Sequence, residues 1–274
     1  MYAQSMLGKY QGGTAFRISR HISRHQPSSK RKLSRMAAAS QQPANLTSAP
    51  SAECLKALKS ADAVAFDVDS TFCEDESIDE LAAFMGVGEQ VAAMTARAMG
   101  GTMDFKSALS LRLNVMKPSQ ATVQEFLTAH PHRLSKGIPQ LLEVLKSQGK
   151  SVFLVSGGFR NIIHPLAHSL QIPEENVFAN NILFDENGAY KGFDENEFTC
   201  RSGGKPAALK HIKERYGYQS VVMVGDGATD LEARLEGVAS LFVGYGGVVA
   251  RPNIAAKADW YIMDIQQLID AFKA

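Results

Sequence analysis

Four short polar segments stand out, three of them directly after an apolar run. Asp67-Val68-Asp69-Ser70-Thr71 follows Ala63-Val64-Ala65-Phe66 and sets two carboxylates two residues apart. Once the chain leaves strand geometry both can enter one cleft. Like charges held that close raise at least one pKa, which suits a division into nucleophile (Asp67) and proton carrier (Asp69). Ser156-Gly157-Gly158 follows Phe153-Leu154-Val155 and offers a hydroxyl and bare backbone N–H groups to a phosphate oxygen. Lys205, behind Ser202-Gly203-Gly204 and before Pro206, opens a helix and can neutralise a phosphoryl group. Gly225-Asp226-Gly227-Ala228-Thr229-Asp230 follows Val221-Val222-Met223-Val224 and places two acids four residues apart, a repulsive pair that calls for a cation. Mg²⁺ is the hard cation that binds through one or two carboxylates and a substrate phosphate. Each segment also has a plainer reading: a helix-capping Asp, ordinary Ser-Gly turn chemistry, or a solvated Lys.

The elements around these segments explain how they meet. From residue 138 onward, helical and strand patterns alternate: helix Ile138–Gln148, strand Ser151–Val155, helix Arg160–Leu170, helix Lys205–Tyr216, strand Ser220–Val224, helix Leu231–Leu235 and strand Ser240–Val243, closing on a strand–helix pair that ends at Phe272. Such alternation predicts a doubly wound parallel α/β sheet of Rossmann type, because parallel strands need crossover helices. In these sheets ligands bind beyond the carboxyl ends of the strands, where all four segments fall. Helical spacing without strands fills residues 78–130, so a helical cap is expected as an insertion at 77–134, with 53–76 and 135–274 as the core. Phe178–Phe184 and Ala189–Phe193, joined by Asp185-Glu186-Asn187-Gly188, are expected to pair as a hairpin.

On this reading Asp67 attacks phosphorus, Asp69 exchanges the proton, and Asp67, Asp226 and the Val68 carbonyl hold Mg²⁺. Ser156, Gly157 and Lys205 neutralise the transferring oxygens, while Asp230 and Thr229 support the metal and phosphate shell.

Composition narrows the class. At 274 residues, 45% hydrophobic and 21% charged, the chain reads as a globular domain with an inserted module. Residues 1–52 hold eight Lys/Arg and no Asp or Glu, so the body carries 21 basic against 28 acidic residues. An acidic body argues against a nucleic-acid or membrane surface, and no apolar run reaches the roughly 18 residues a span needs. Cys54, Cys73 and Cys200 lie far apart without CxxC spacing, which argues against a disulfide scaffold or structural zinc. The basic, Ser-rich start reads as an organelle transit peptide, for a plastid in preference to a mitochondrion.

The four segments in this order resemble the haloacid dehalogenase-like hydrolases, and within them the phosphoserine phosphatases. Met99-Gly100-Gly101, Phe105, Arg112, Val155–Arg160 and Gly225–Asp230 carry the closer match, which spans about 55–273. The resemblance implies Mg²⁺-dependent hydrolysis of O-phospho-L-serine at the end of L-serine biosynthesis. It implies that Glu76 receives the substrate ammonium, Arg112 its carboxylate, and that Met99 and Phe105 shield the pocket. Many relatives carry Asn at the position of Thr229. Two other readings compete: a phosphatase or phosphotransferase for another small ester, and a non-catalytic phospho-acceptor of receiver type. Asp69 argues against the receiver, which has no use for a proton carrier. A small-molecule substrate is thus the expected partner, with a homodimer the expected assembly on general frequency alone.

Overall fold

The computed structural model describes residues 49–97 and 104–274. Its centre is a six-stranded, all-parallel sheet of β1 (Ala63–Phe66), β2 (Ser151–Phe159), β3 (Val177–Asn180), β6 (Val221–Gly225), β7 (Leu241–Tyr245) and β8 (Trp260–Ile262), in the spatial order β3-β2-β1-β6-β7-β8. The winding reverses between β1 and β6, so a crevice opens beyond their carboxyl ends. In β1, Val64 and Phe66 join the core on one face while Ala63 and Ala65 join the core on the other. A strand covered on both faces must be apolar throughout, and all four residues are buried.

One face is covered by α1 (Ala52–Ser60), α6 (Ile138–Ser147), α7 (Arg160–Ser169) and α11 (Ile265–Lys273). The other is covered by α8 (Gly204–Tyr216) and α9 (Ala228–Leu235), with the short α10 (Pro252–Ala255) beside them. Among the described residues no helix is long and apolar enough to cross a membrane.

Between β1 and α6 the described residues make four helices: α2 (Ser77–Phe84), α3 (Gly88–Arg97), α4 (Phe105–Met116) and α5 (Gln120–Ala129). Their apolar faces form a third cluster around Leu81, Leu109, Leu113 and Phe126, which also takes in Phe159 and Ile162 from the sheet side. An isolated antiparallel bridge between Cys73 and Leu134 joins the two chain segments at the base of this block. Arg133 adds ion pairs to Asp75 and Glu80 beside it.

Two local expectations are corrected, and one helix was not expected at all. The strand expected to end at Val155 runs on to Phe159, with a register irregularity between those residues. Glycines at 157 and 158 carry no side chain to oppose the bulge, so the chain stays extended and α7 starts only at Arg160. The run Phe178–Phe184 divides: β3 enters the main sheet, and only β4 (Ile182–Phe184) pairs with β5 (Tyr190–Phe193) as a hairpin. Burial of all four β3 residues is what pulls that half into the sheet. Helix α1 had no expectation in the sequence; it is short, and its buried side chains are Cys54 and Leu58 alone.

Candidate active site

The chain leaves β1 through a tight five-residue turn in which Phe72 N–H donates to the Asp67 carbonyl (3.2 Å) and Cys73 N–H to the Val68 carbonyl (2.8 Å). Closing it puts Ser70 at φ 55°, a left-handed conformation that costs a residue with a Cβ about 1–2 kcal/mol. The Ser70 hydroxyl donates to Glu76 at 2.6 Å, which helps hold that conformation. Both carboxylates of the turn are oriented by hydrogen bonds, Asp67 through both oxygens and Asp69 through one. Asp67 accepts from Val68 N–H through Oδ1 (2.7 Å), and its Oδ2 lies 2.8 Å from Lys205 Nζ. Asp69 accepts through Oδ1 from both the backbone N–H (2.9 Å) and the hydroxyl of Ser77. Burial, then the neighbouring charge of Asp67, pushes the Asp69 carboxyl up to about 6. A carboxyl held there can take up and release a proton near neutral pH.

Strand β6 pairs with β1 in register, Phe66 opposite Val224, which brings Asp226 beside Asp67. Gly225 is required at the strand end, because a Cβ there would overlap the Asp230 carboxylate. Asp230 is fully buried and spends both oxygens within the protein: Oδ2 accepts from Gly227 N–H (2.9 Å), and Oδ1 lies 2.6 Å from Lys205 Nζ. Burial alone would discharge Lys205, yet the Asp230 and Asp67 charges more than offset it and hold the ammonium well above its ordinary pKa. Asp226 accepts from the Arg251 guanidinium through Oδ2 (2.9 Å), while Thr71 Oγ1 lies 3.4 Å from Oδ1. Burial, then the Asp67 charge, raises the Asp226 carboxyl. Oxygens of Asp67, Asp226 and Asp230 lie within 4.8 Å of one another, in a buried cluster. Three clustered acids, Asp67, Asp226 and Asp230, share two cations, Lys205 and Arg251, an arrangement that would accept a further positive charge. Hard oxygen donors in an electronegative, buried setting fit Mg²⁺.

Opposite this cluster, the Ser156 hydroxyl accepts from Gly158 N–H at 2.9 Å. The Gly157 carbonyl is fixed by the buried Asn180 amide (2.7 Å), which in turn accepts from Thr199 (3.2 Å). Phe105, from the helical block, packs on Gly157: its Cζ is 3.4 Å from where a Cβ would stand. Gly158 faces the acid, with a Cβ there 3.1 Å from Asp69 Oδ2 and 3.2 Å from Ser156 Oγ. Glu76, immediately before α2, has its carboxyl pushed up to about 7 by burial and then by the Asp69 charge. Burial lowers the Arg112 guanidinium, an effect countered by the charges of Asp79 and Glu76, and Arg112 Nε donates to the Ala108 carbonyl (3.2 Å).

Asp67, Asp69, Lys205, Asp226 and Asp230 thus come together around one crevice, with Ser156 and Gly157 on its wall and Glu76 and Phe105 on the side of the helical block. Thr229 is half-buried in the first turn of α9, and no contact of its hydroxyl with the cluster distinguishes it. Met99 lies outside the described residues. The Val68 carbonyl accepts one hydrogen bond, from Cys73 N–H, and keeps its second lone pair. Ser77, Asn180 and Arg251 had no signal in the sequence, and Thr71 had only its place in the first acidic segment.

A haloacid dehalogenase-like hydrolase model matches residues 61–235. The chain is 50% identical over 247 residues to a chloroplastic phosphoserine phosphatase of Arabidopsis thaliana, covering 88% of this chain and 84% of that one. Among solved structures it is similar to a substrate-bound phosphoserine phosphatase (TM-score 0.66, 26% identity, 77% of this chain and 97% of the other). It is also similar to DsGPDH of Dunaliella salina (TM-score 0.73, 35% identity), where it covers 82% of itself but spans only 38% of that longer chain. The matched span includes both acidic turns, the glycine bulge and Lys205, so the chain belongs to the haloacid dehalogenase-like hydrolases, in the branch of the phosphoserine phosphatases.

Proposed function

We propose that this protein is an Mg²⁺-dependent phosphatase that hydrolyses O-phospho-L-serine to L-serine and phosphate, the closing step of L-serine biosynthesis. The observation that carries the reading is Lys205 bridging Asp67 and Asp230, with Asp226 in the same buried cluster and Asp69 facing Ser156 across Gly158. Asp67, Asp226 and the Val68 carbonyl would hold the metal, and the bound ion would draw charge from the phosphoryl oxygens.

An Asp67 oxygen attacks phosphorus as the bond to the serine oxygen breaks, and Asp69 delivers its proton to that departing oxygen. Asp69, now a carboxylate, takes a proton from water. The water oxygen displaces Asp67 from phosphorus and frees phosphate. Lys205, 2.8 Å from Asp67 Oδ2, neutralises the transferring group, assisted by Ser156 Oγ and the Gly157 N–H. Asp230 spends its own charge on Lys205 and orients it, and Thr229 sits beside it in the supporting turn.

For substrate recognition, a zwitterionic amino acid needs one anionic and one cationic partner, which Glu76 and Arg112 supply. Phe105, with Met99, would shield the pocket as the helical block (77–134) closes over it and excludes bulk water. Residues 1–52 are assigned as a plastid transit peptide, supported by their acid-free basic composition and the chloroplastic relative.

The test is phosphate release by purified protein with Mg²⁺ from a panel of esters. O-phospho-L-serine should be strongly preferred over phosphothreonine and sugar phosphates; equal rates across the panel would remove the specificity assignment. A fluorescent reporter fused behind residues 1–52 should enter plastids.

A further inference from the structure

We propose that Ser77 is a positioning residue for the proton carrier, a role that rests on the hydrolase reading above. Asp69 has two oxygens, and the protein treats them differently. Oδ1 takes both donors that Ser77 offers, its backbone N–H at 2.9 Å and its hydroxyl. Oδ2 points at Gly158, where a Cβ would stand 3.1 Å away and crowd it. The bare glycine therefore leaves open the space in front of Oδ2, on the side where Ser156 Oγ also lies. Two donors on one oxygen fix the carboxyl plane, and the other oxygen is left to carry the proton toward the serine oxygen or to accept it from water. Proton transfer in the transition state needs that alignment, since misplacement by about 1 Å can cost 10²-fold.

Ser77 is also the first residue of α2, the opening helix of the inserted block, and Glu76 directly before it is the residue assigned to the substrate ammonium. One short segment, 76–77, thus touches the substrate end and the acid at once. Ser77 is buried, and its hydroxyl donates to Asp69. A Ser at the start of a helix is ordinarily read as a cap for the amides that follow, but here the cap position belongs to Glu76, whose side chain makes no capping bond. The hydroxyl is spent on the acid instead.

The experiment is a double-mutant cycle on full-length protein with Mg²⁺ and O-phospho-L-serine. Ser77→Ala keeps the backbone donor and removes the hydroxyl; kcat should fall about tenfold or more with KM within twofold, a part of the 10²–10⁴ that a positioned acid supplies. Ser77→Thr, which restores a hydroxyl, should recover most of the rate. In an Asp69→Asn background, Ser77→Ala should cost less than twofold, because the group it positions is already disabled. Wild-type kcat within twofold in Ser77→Ala, a loss that Thr does not restore, or an equal loss in both backgrounds would each overturn the role. Failure of the wild-type chain to release phosphate from phosphoserine would instead remove the underlying functional reading.

Discussion

Replacing Lys205 by Met tests the electrostatic centre of the site. The ammonium lies 2.8 Å from Asp67 Oδ2 and 2.6 Å from Asp230 Oδ1, and Lys205 is 6% exposed and Asp230 wholly buried. Met fills nearly the same volume, so the packing term is small and the change is chiefly one of charge. Removing one partner of a buried ion pair costs about 3–5 kcal/mol, because the remaining carboxylates are left uncompensated. In a body of this size each kcal/mol moves Tm by about 2–4 °C, which gives a fall of roughly 6–20 °C for the metal-free protein at pH 8.

The pH dependence has a definite sign. Burial and the Asp67 charge already raise the Asp230 carboxyl, and losing Lys205 raises it further. A carboxyl with a raised folded-state pKa binds more protons folded than unfolded. The stability it withdraws therefore grows as pH climbs from the ordinary carboxylate pKa through the raised one, and vanishes below both. The deficit of the variant should accordingly be smaller at pH 5 than at pH 8. Thermal unfolding followed by circular dichroism at both pH values, without added metal, reads it directly. A variant as stable as wild type at pH 8, or a deficit that deepens on acidification, would refute Lys205 as the counter-ion of this cluster.

Four further outcomes are expected. Asp67→Asn should abolish turnover and leave no phosphate trapped on the chain after acid quench; retained phosphorylation would remove Asp67 as nucleophile. Arg112→Ala should lower kcat/KM for phosphoserine by about 10–100-fold, the worth of a charge-assisted hydrogen bond, and barely affect phosphoethanolamine, which has no carboxylate. Gly158→Ala places a methyl 3.1 Å from Asp69 Oδ2 and should depress kcat more than KM, with near-native circular dichroism. Gly225→Ala cannot be accommodated without displacing Asp230, so soluble yield and Tm should both drop sharply.

The clustered acids stood out in the sequence because the chemistry they offer is local. Asp67, Asp69, Asp226 and Asp230 sit in short strings beside apolar runs, and a string that pairs like charges at a strand end announces a cation or a proton transfer without any knowledge of the fold. The parallel sheet was legible for a related reason: a four-residue strand buried on both faces, such as Ala63–Phe66, has to be apolar throughout. Helical spacing was likewise readable over 78–130, where the described residues form helices, since helix and strand periodicities differ.

What only the tertiary structure decided is everything that depends on distant residues meeting. The bulge that carries β2 to Phe159, and the entry of Val177–Asn180 into the main sheet, follow from what lies on either side of them and leave no mark in local spacing. Arg251 reaches Asp226 across 25 residues and Asn180 reaches the Gly157 carbonyl across 23, and nothing in the type of either residue foretells the partner. Ser77 is the sharpest case. In the sequence it is one more serine before a helix, and only the reversal of the chain at Ser70 turns it toward Asp69. A motif names the groups that react, because reactivity belongs to the side chain; which oxygen faces the reaction is set by its hydrogen bonds, and those exist only once the chain has folded.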